Sequence, residues 1–340
     1  MELTQLIFDL CTAQGVSGHE EPALAVVKQA LAPFAETQTD ANGNLYAFLG
    51  KTDAEKTILI DAHLDRIGLM VTDISKEGFV KVDKCGGIDA RVLQNALLTA
   101  PDGITGTVCC LPPHLSDGSE DKATPVSKVW VDFGMNALEI KKHLAVGDVL
   151  TFVSLPRMLL NDRVTSPALD NRCSAAALIQ TAALLHEEEP PCKVVLLFSA
   201  QEETYGSGAV TGAYKINADE AIAVDVSFAS QPDISGQYAK ISLGEGPMIG
   251  ISPILNKKMT KQLQTICEQN EMPYQLEPIA GRTGTNADKI ALTRGGIKTA
   301  MISIPQRYMH TAVEVVDIKD VKATARLLAD YVLSGGVGND

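Results

Sequence analysis

The sequence lacks an excess of basic residues and any long apolar run. Lys and Arg number 29 against 42 Asp and Glu, so the net charge is −13 and the pI is near 4.9. A chain of this charge is repelled by nucleic acids and by anionic membrane surfaces. The longest run of small apolar residues, 175–185, contains Gln180 and Thr181 and is too short to span a bilayer. We therefore expect neither nucleic acid nor membrane as a partner.

The sequence also lacks a C-x-x-C pair, and its first residues do not have the pattern that we expect of a signal peptide. Its 7 cysteines are scattered, which gives no zinc-ribbon spacing and is typical of reduced, mostly buried thiols. No basic region precedes the first apolar positions, which have helical spacing and predict an amphipathic helix: Leu3, Leu6, Ile7 and Leu10. We expect a cytoplasmic protein.

Nucleotide-binding fingerprints are missing as well. The Gly-rich segment 281–288 lacks the Gly-Lys-Ser/Thr ending of a phosphate loop. The segment Gly244-Glu245-Gly246 continues with Pro247 and does not match the dinucleotide-binding pattern. We expect no nucleotide site at either segment.

Two kinds of sequence pattern occupy different parts of the 340 residues. Outside residues 67–160, apolar β-prone runs alternate with helical patterns, which predicts an α/β fold with a central mixed sheet flanked by helices. Within 67–160, short β-like runs recur with little helical periodicity, which predicts a small all-β insert. In this insert, the polar segment 112–121 is expected to be an exposed loop. The predicted organisation is one domain of residues 1–66 and 161–340, interrupted by an insert.

Two adjacent carboxylates, Glu202 and Glu203, follow the buried-strand pattern of residues 193–198. Taken alone, such a pair is more often solvated at the start of a loop than functional. Neighbouring side chains of a straight strand point to opposite faces, so the two can share a site only where the backbone turns. Gly206 and Gly208 favour a turn at this point.

Other apolar strands also end in polar residues. His63 and Asp65 follow one strand, Asp225 lies near the end of another, and His310 lies beyond the last. Singly, a strand-end histidine is more often a core residue, and Asp170, at the start of an Ala-rich helix, is more often an N-cap. Ligands of open α/β sheets bind in the crevice outside the carboxyl ends of the strands. We therefore expect all these residues to lie together at that edge of the sheet.

Two histidines and several carboxylates without cysteine suit a zinc, cobalt or manganese site better than a structural zinc cage. With a bridging carboxylate and a shared water, this number of ligands suits two metals about 3.5–4 Å apart. Such a pair lowers the pKa of the water and polarises a carbonyl. One acid must remain free of metal to take the water's proton. The expected reaction is a hydrolysis.

Five segments contain these residues in one order along the chain: 63–71, 168–172, 201–203, 223–226 and 307–311. Together they resemble the M42 family of dinuclear metallo-aminopeptidases, which includes the glutamyl and tetrahedral aminopeptidases, over nearly the whole chain. The resemblance implies a zinc-peptidase-like catalytic domain in residues 1–66 and 161–340 and a β-rich dimerisation domain in 67–160. It also implies dimers assembled into a hollow dodecamer that admits only short peptides.

The resemblance implies two divalent metal ions per chain, with zinc first and cobalt or manganese as alternatives. Asp170 would bridge the two ions. Asp225 and His310 would lie on opposite ions, and His63 and Glu203 would complete the ligand set.

The remaining roles that the resemblance implies concern acids outside this ligand set. Glu202 would be the general base, and Asp65 would orient His63. The chain departs from the family pattern at two positions, where Arg66 replaces an acid and Asn286 replaces the Asp of a Gly-Thr-Asp-Ala loop. We expect these two residues to lie on the substrate side and to affect specificity.

The resulting hypothesis is a metal-dependent aminopeptidase that releases N-terminal residues from short peptides. One alternative is a related metallohydrolase that cleaves N-acyl amino acids, with a groove for a carboxylate in place of a pocket for a free amine. Another is a catalytically silent peptide-binding homologue. The presence of Glu202 together with all five expected ligands argues against a silent protein.

Overall fold

A computed structural model describes residues 2–111, 113–115 and 123–338. Among these residues, no helix is both long and apolar enough to cross a bilayer. The α-helices are α1 Leu3–Thr12, α2 Glu21–Leu31, α3 Ala137–Ile140, α4 Leu169–His186, α5 Ser207–Ile216, α6 Lys257–Gln269, α7 Ala287–Ile290 and α8 Ile318–Leu333. The strands are β1 Glu36–Thr39, β2 Leu45–Gly50, β3 Thr57–His63, β4 Gly68–Ile74, β5 Val80–Cys85, β6 Leu97–Thr99, β7 Thr105–Val108, β8 Trp130–Asp132, β9 Val149–Phe152, β10 Arg157–Met158, β11 Arg163–Ser166, β12 Lys193–Ser199, β13 Glu220–Phe228, β14 Met248–Ile251, β15 Gln275–Pro278, β16 Lys298–Arg307 and β17 Glu314–Asp317.

The larger sheet is mixed and confirms the predicted α/β fold. Its strand order is β1-β2-β12-β3-β13-β16-β17-β11-β10, and β14 joins it beside β16 and carries β15. The central strands β12, β3, β13 and β16 run parallel. These strands are almost continuously apolar because a parallel sheet is covered by helices on both faces.

Alternate side chains of the central strands enter two separate cores. On β3, Ile58 and Ile60 pack in a core with residues of α1, α2, α4, α6 and α8, whereas Leu59 packs in a second core with residues of α5 and α7. The second layer is the thinner one, since α5 has 10 residues and α7 has 4. On this face, Asp61 and His63 continue the row of Leu59 toward the carboxyl end of β3.

A second β-structure is a closed antiparallel barrel with the order β4-β5-β8-β7-β6-β9. It has its own hydrophobic core, which includes Leu69, Val82 and Phe152. This barrel confirms the small β-rich part expected within residues 67–160. The chain rejoins the larger sheet at β10, just inside the predicted end of the insert, and the functional division into two domains stays a prediction. Most of the loop expected at 112–121 lies outside the described residues.

Candidate functional site

The carboxyl ends of the central strands converge on a cavity of about 280 Å³. His63 is the last residue of β3, and Asp225 lies in the second half of β13. Six residues expected from the sequence line this cavity together: His63, Asp170, Glu202, Glu203, Asp225 and His310. The strand-end rule therefore places these residues correctly, although they span nearly 250 positions of the chain.

Asp170 lies between the two imidazoles. Its Oδ1 is 3.2 Å from Nε2 of His63, and its Oδ2 is 3.1 Å from Nε2 of His310. Oδ1 of Asp225 lies 3.7 Å from Nε2 of His63, and Oε2 of Glu203 lies 3.4 Å from Nε2 of His310. The side chains thus form two groups that share Asp170, and in each group the potential ligand atoms lie within 4.8 Å of one another.

These two groups fit divalent cations. Oε1 of Glu203 is buried without a hydrogen-bond partner. In the part of the chain that the structure describes, no Lys or Arg forms an ion pair with Asp170, Glu203 or Asp225. Buried carboxylates without a cation are costly, and metal coordination removes that cost. Imidazole nitrogens and carboxylate oxygens are ligands that zinc, cobalt and manganese accept.

The carboxylates alter both imidazoles. Burial by itself lowers the pKa of His63, but hydrogen bonds with Asp170, Asp225 and Asp65 outweigh burial and raise this pKa well above its usual value. Burial likewise lowers the pKa of His310, and the carboxylates of Asp170 and Glu203 raise it to about 11. Without metal, each histidine is therefore protonated. Its positive charge balances part of the negative charge of the surrounding carboxylates.

Each imidazole is oriented through its Nδ1 atom. Nδ1 of His63 lies 3.2 Å from the main-chain oxygen of Asp65, and Nδ1 of His310 lies 3.1 Å from the main-chain oxygen of Gly87. A histidine with its proton on Nδ1 donates to such an oxygen and presents Nε2 to a metal. Because Gly87 follows β5, the barrel contributes directly to the placement of His310.

Asp65 contacts both His63 and the turn that follows β12. Its carboxylate lies 3.4 Å from Nδ1 of His63, and it also accepts the main-chain N–H groups of Glu202 at 2.9 Å and Glu203 at 3.1 Å. The hydroxyl of Ser17 donates to the same carboxylate. The chain turns after β12, where Gln201 has a φ of 60°. This turn lets Glu202 and Glu203 face one cavity.

Glu314 is a site residue that the sequence reasoning missed. It is buried in β17, where its carboxylate accepts the main-chain N–H of Asp170 at 3.1 Å and that of His310 at 2.8 Å. One side chain thus connects the backbones of two candidate ligands from distant segments. An acid inside the apolar sequence Val313-Glu314-Val315-Val316 is the signal that could have identified it.

The expectation for Arg66 and Asn286 is wrong, because both side chains are buried away from the cavity. Arg66 is 1% exposed and directs its guanidinium toward the main-chain oxygen of Cys11. Asn286 is 2% exposed and donates to Asp61 at 2.8 Å and to Ser199 at 2.9 Å. Arg66 lies on the side of this buried segment opposite His63 and Asp65, because alternate residues of an extended segment face opposite sides.

A sequence model described as M42 glutamyl aminopeptidase matches residues 43–327 of the chain. The chain is 33% identical over 332 residues to a lysyl aminopeptidase of Pyrococcus furiosus, and the match covers 95% of this chain and 94% of that protein.

Solved structures agree with this sequence comparison. The structure of an aminopeptidase from the archaeon Desulfurococcus kamchatkensis has a TM-score of 0.90 and 31% sequence identity, and the match covers 98% of this chain and 94% of that one. The TET1 peptidase of Pyrococcus horikoshii has a TM-score of 0.87 and 28% identity, and the match covers 97% of this chain and 99% of that one. The mixed sheet and the small antiparallel barrel are therefore features of a known fold.

Proposed function

The chain belongs to the M42 glutamyl aminopeptidase family and is an aminopeptidase, and from that premise we propose that it releases N-terminal residues from short peptides with two metal ions and a glutamate base. The observation that carries this proposal is the position of Asp170 between two ligand groups. A carboxylate with one oxygen toward each histidine can bridge two cations. A site for a single ion does not need this arrangement.

The candidate ligands divide between the two ions. His63 and Asp225 would hold one ion, Glu203 and His310 would hold the other, and Asp170 would bridge them. Zinc suits this mixture of nitrogen and oxygen ligands, and cobalt and manganese are alternatives. When bound, such ions lower the pKa of a water molecule and polarise the carbonyl of the scissile bond.

We assign the general-base role to Glu202. It lines the same cavity and belongs to neither ligand group. Burial raises the pKa of Glu202 to about 8, so its carboxyl group can gain and lose a proton near neutral pH. Glu202 would take a proton from the attacking water and deliver it to the nitrogen of the departing peptide.

The charge of the cavity favours a peptide amine. Five carboxylates line it, and beyond the three assigned to metal ions the acids Glu202 and Glu277 remain; among the described residues, no Lys or Arg lines the cavity. The ammonium group of a peptide N-terminus suits this environment. An N-acyl amino acid has no such amine, so the deacylase alternative receives no support from the cavity.

The proposal is tested by comparing substrates with and without metal. Protein treated with a chelator is expected to hydrolyse no amino acid p-nitroanilide, and addition of zinc, cobalt or manganese is expected to restore hydrolysis. N-acyl amino acids are expected to stay intact. Cleavage of N-acyl amino acids alone would establish the deacylase function, and no cleavage of any peptide by metal-loaded protein would establish a silent homologue.

For the assembly, we propose residues 1–66 and 161–340 as the catalytic domain and 67–160 as the dimerisation domain of a homododecamer. The TET1 peptidase of Pyrococcus horikoshii is described as able to assemble into a tetrahedron or a large octahedral shell. Light scattering is expected to give the mass of a dodecamer of 36.2 kDa chains. A monomer or an isolated dimer at micromolar concentration would contradict this proposal.

A further inference from the structure

A buried carboxylate with no assigned role, Glu277, lines the same cavity as the candidate metal ligands. Glu277 lies on β15 and is 2% exposed. The hydroxyls of Ser227 and Ser303 both donate to it, and the bond from Ser303 is 2.7 Å long. Each hydroxyl keeps free lone pairs. The three side chains therefore form a group of oxygen acceptors on the cavity wall.

This group lies close to the metal ligands. Ser303 is the partner of Asp225 across the paired strands β13 and β16. Ser227 follows Asp225 by two residues on the same face of β13, a distance of roughly 6.6 Å along a strand. A substrate whose amine and carbonyl lie at the ligand groups can therefore place the side chain of its first residue toward Glu277.

Glu277 has no cationic partner in the described part of the chain. Its hydrogen-bond donors are the two neutral serines, and the cavity lining contains no Lys or Arg. A cation supplied by a bound ligand would stabilise a buried carboxylate in this position. A second carboxylate would meet like-charge repulsion.

Other residues that line the cavity suit an aliphatic stem. Phe228 and Tyr238 line it with rings in a T-shaped contact at 5.2 Å, and Met309 lies on the same cavity. Lysine and arginine have a long apolar stem that packs on such surfaces and a charged end that needs acceptors. Both requirements are met within one cavity.

We propose that Glu277, with Ser227 and Ser303, forms a specificity subsite that selects peptides with lysine or arginine at the N-terminus. This inference rests on the proposed aminopeptidase function and names its substrate class. In the subsite, the side-chain cation of the first residue pairs with the Glu277 carboxylate and its stem lies against Phe228 and Tyr238. Peptides that begin with an acidic residue are disfavoured.

The test measures kcat/KM of the metal-loaded full chain for lysyl, arginyl, leucyl and glutamyl p-nitroanilides. We expect lysyl and arginyl substrates to exceed leucyl by at least about tenfold, as a charge-assisted hydrogen bond allows, and glutamyl to be the poorest. For Glu277→Gln, the ratio of lysyl to leucyl kcat/KM should fall by about tenfold or more. The matched control Glu271→Gln, an exposed carboxylate, should keep the wild-type ratio.

The outcomes separate this inference from the proposed function. Hydrolysis of leucyl p-nitroanilide without preference for basic residues, or an unchanged ratio in Glu277→Gln, would overturn the subsite alone. No hydrolysis of any anilide would overturn the proposed function. If Glu277→Gln does not fold, inhibition of the wild-type enzyme decides the question, because free lysine should inhibit about tenfold more strongly than norleucine. Equal inhibition by the two amino acids would overturn the subsite.

Discussion

At the scale of single residues, Glu202 and Glu203 are neighbours in sequence with different surroundings. Oε2 of Glu203 faces His310, and Glu203 shares a ligand group with Asp170. Glu202 belongs to no such group. Both main-chain N–H groups are held by Asp65, so the turn fixes the two side chains in their separate positions. The proposed division between Glu203 as a metal ligand and Glu202 as a general base depends on this turn.

Substitution of Glu202 by Gln tests this division. The amide cannot accept the water's proton, so we expect kcat to fall by roughly 10²- to 10⁴-fold. Metal content should stay at the wild-type value because Glu202 is outside both ligand groups. Steady-state kinetics and metal analysis of the same sample check the two parts. Turnover near the wild-type rate would remove Glu202 from its proposed role.

The sequence indicated the strand-end residues that meet at the cavity better than it indicated the other residues that line it. His63, Asp225 and His310 stand out because each interrupts or ends an apolar strand. Glu277 lies in the unremarkable segment Gln275-Leu276-Glu277-Pro278, and its two serine partners are 50 and 26 residues away. No spacing rule connects such residues. Their association depends on the packing of β13, β15 and β16.

At the scale of elements, the link between the barrel and the candidate metal site is a short segment after β5. Gly87 accepts a hydrogen bond from His310 through its main-chain oxygen. A Cβ atom added at Gly87 would lie 2.7 Å from Nδ1 of His310. The close approach therefore needs a residue without a side chain.

Substitution of Gly87 by Ala is expected to displace the His310 ring. Because orienting contacts of metal-bound histidines typically contribute 10- to 100-fold in affinity or activity, we expect metal affinity to fall by about that factor. Titration of metal against a chelating indicator measures the change. Gly295→Ala is the control, since an added Cβ there meets nothing within 4 Å. Equal affinities of the two variants would contradict the role of this segment.

The elements themselves were largely predictable. Apolar runs indicated the strands that form the sheet centre, because strands covered on both faces need little polar character. The last helix was harder to place. The amphipathic pattern of residues 316–333 predicts one helix over that whole range, but Val316 belongs to β17, and α8 begins at Ile318. Asp317 caps this helix by accepting the N–H of Lys319, which ends the strand and starts the helix within two residues.

At the scale of the whole molecule, buried acids make the stability of the metal-free protein depend on pH. Burial raises the pKa of Glu202 to about 8, of Glu203 to about 7 and of Glu314 to about 8, from an ordinary value of 4.5. An acid whose folded-state pKa is raised contributes fully to stability below its unfolded pKa. This contribution is lost as the pH rises through the folded pKa.

We therefore expect the Tm of metal-free protein to fall between about pH 5 and pH 8.5. Metal binding becomes stronger as the ligands lose their protons, so the Tm difference between metal-loaded and metal-free protein should widen over the same range. Thermal unfolding in chelator and in excess zinc measures both curves. Parallel curves would show that the buried acids do not control this dependence.

Whether Asp170 joins two cation sites is decided by the number of metal ions that each chain binds. Elemental mass spectrometry of dialysed wild-type protein and of Asp170→Asn provides the count. We expect one ion for each of the two ligand groups in the wild type and loss of both ions in the variant. A single ion in the wild type, or full metal content in Asp170→Asn, would contradict this expectation.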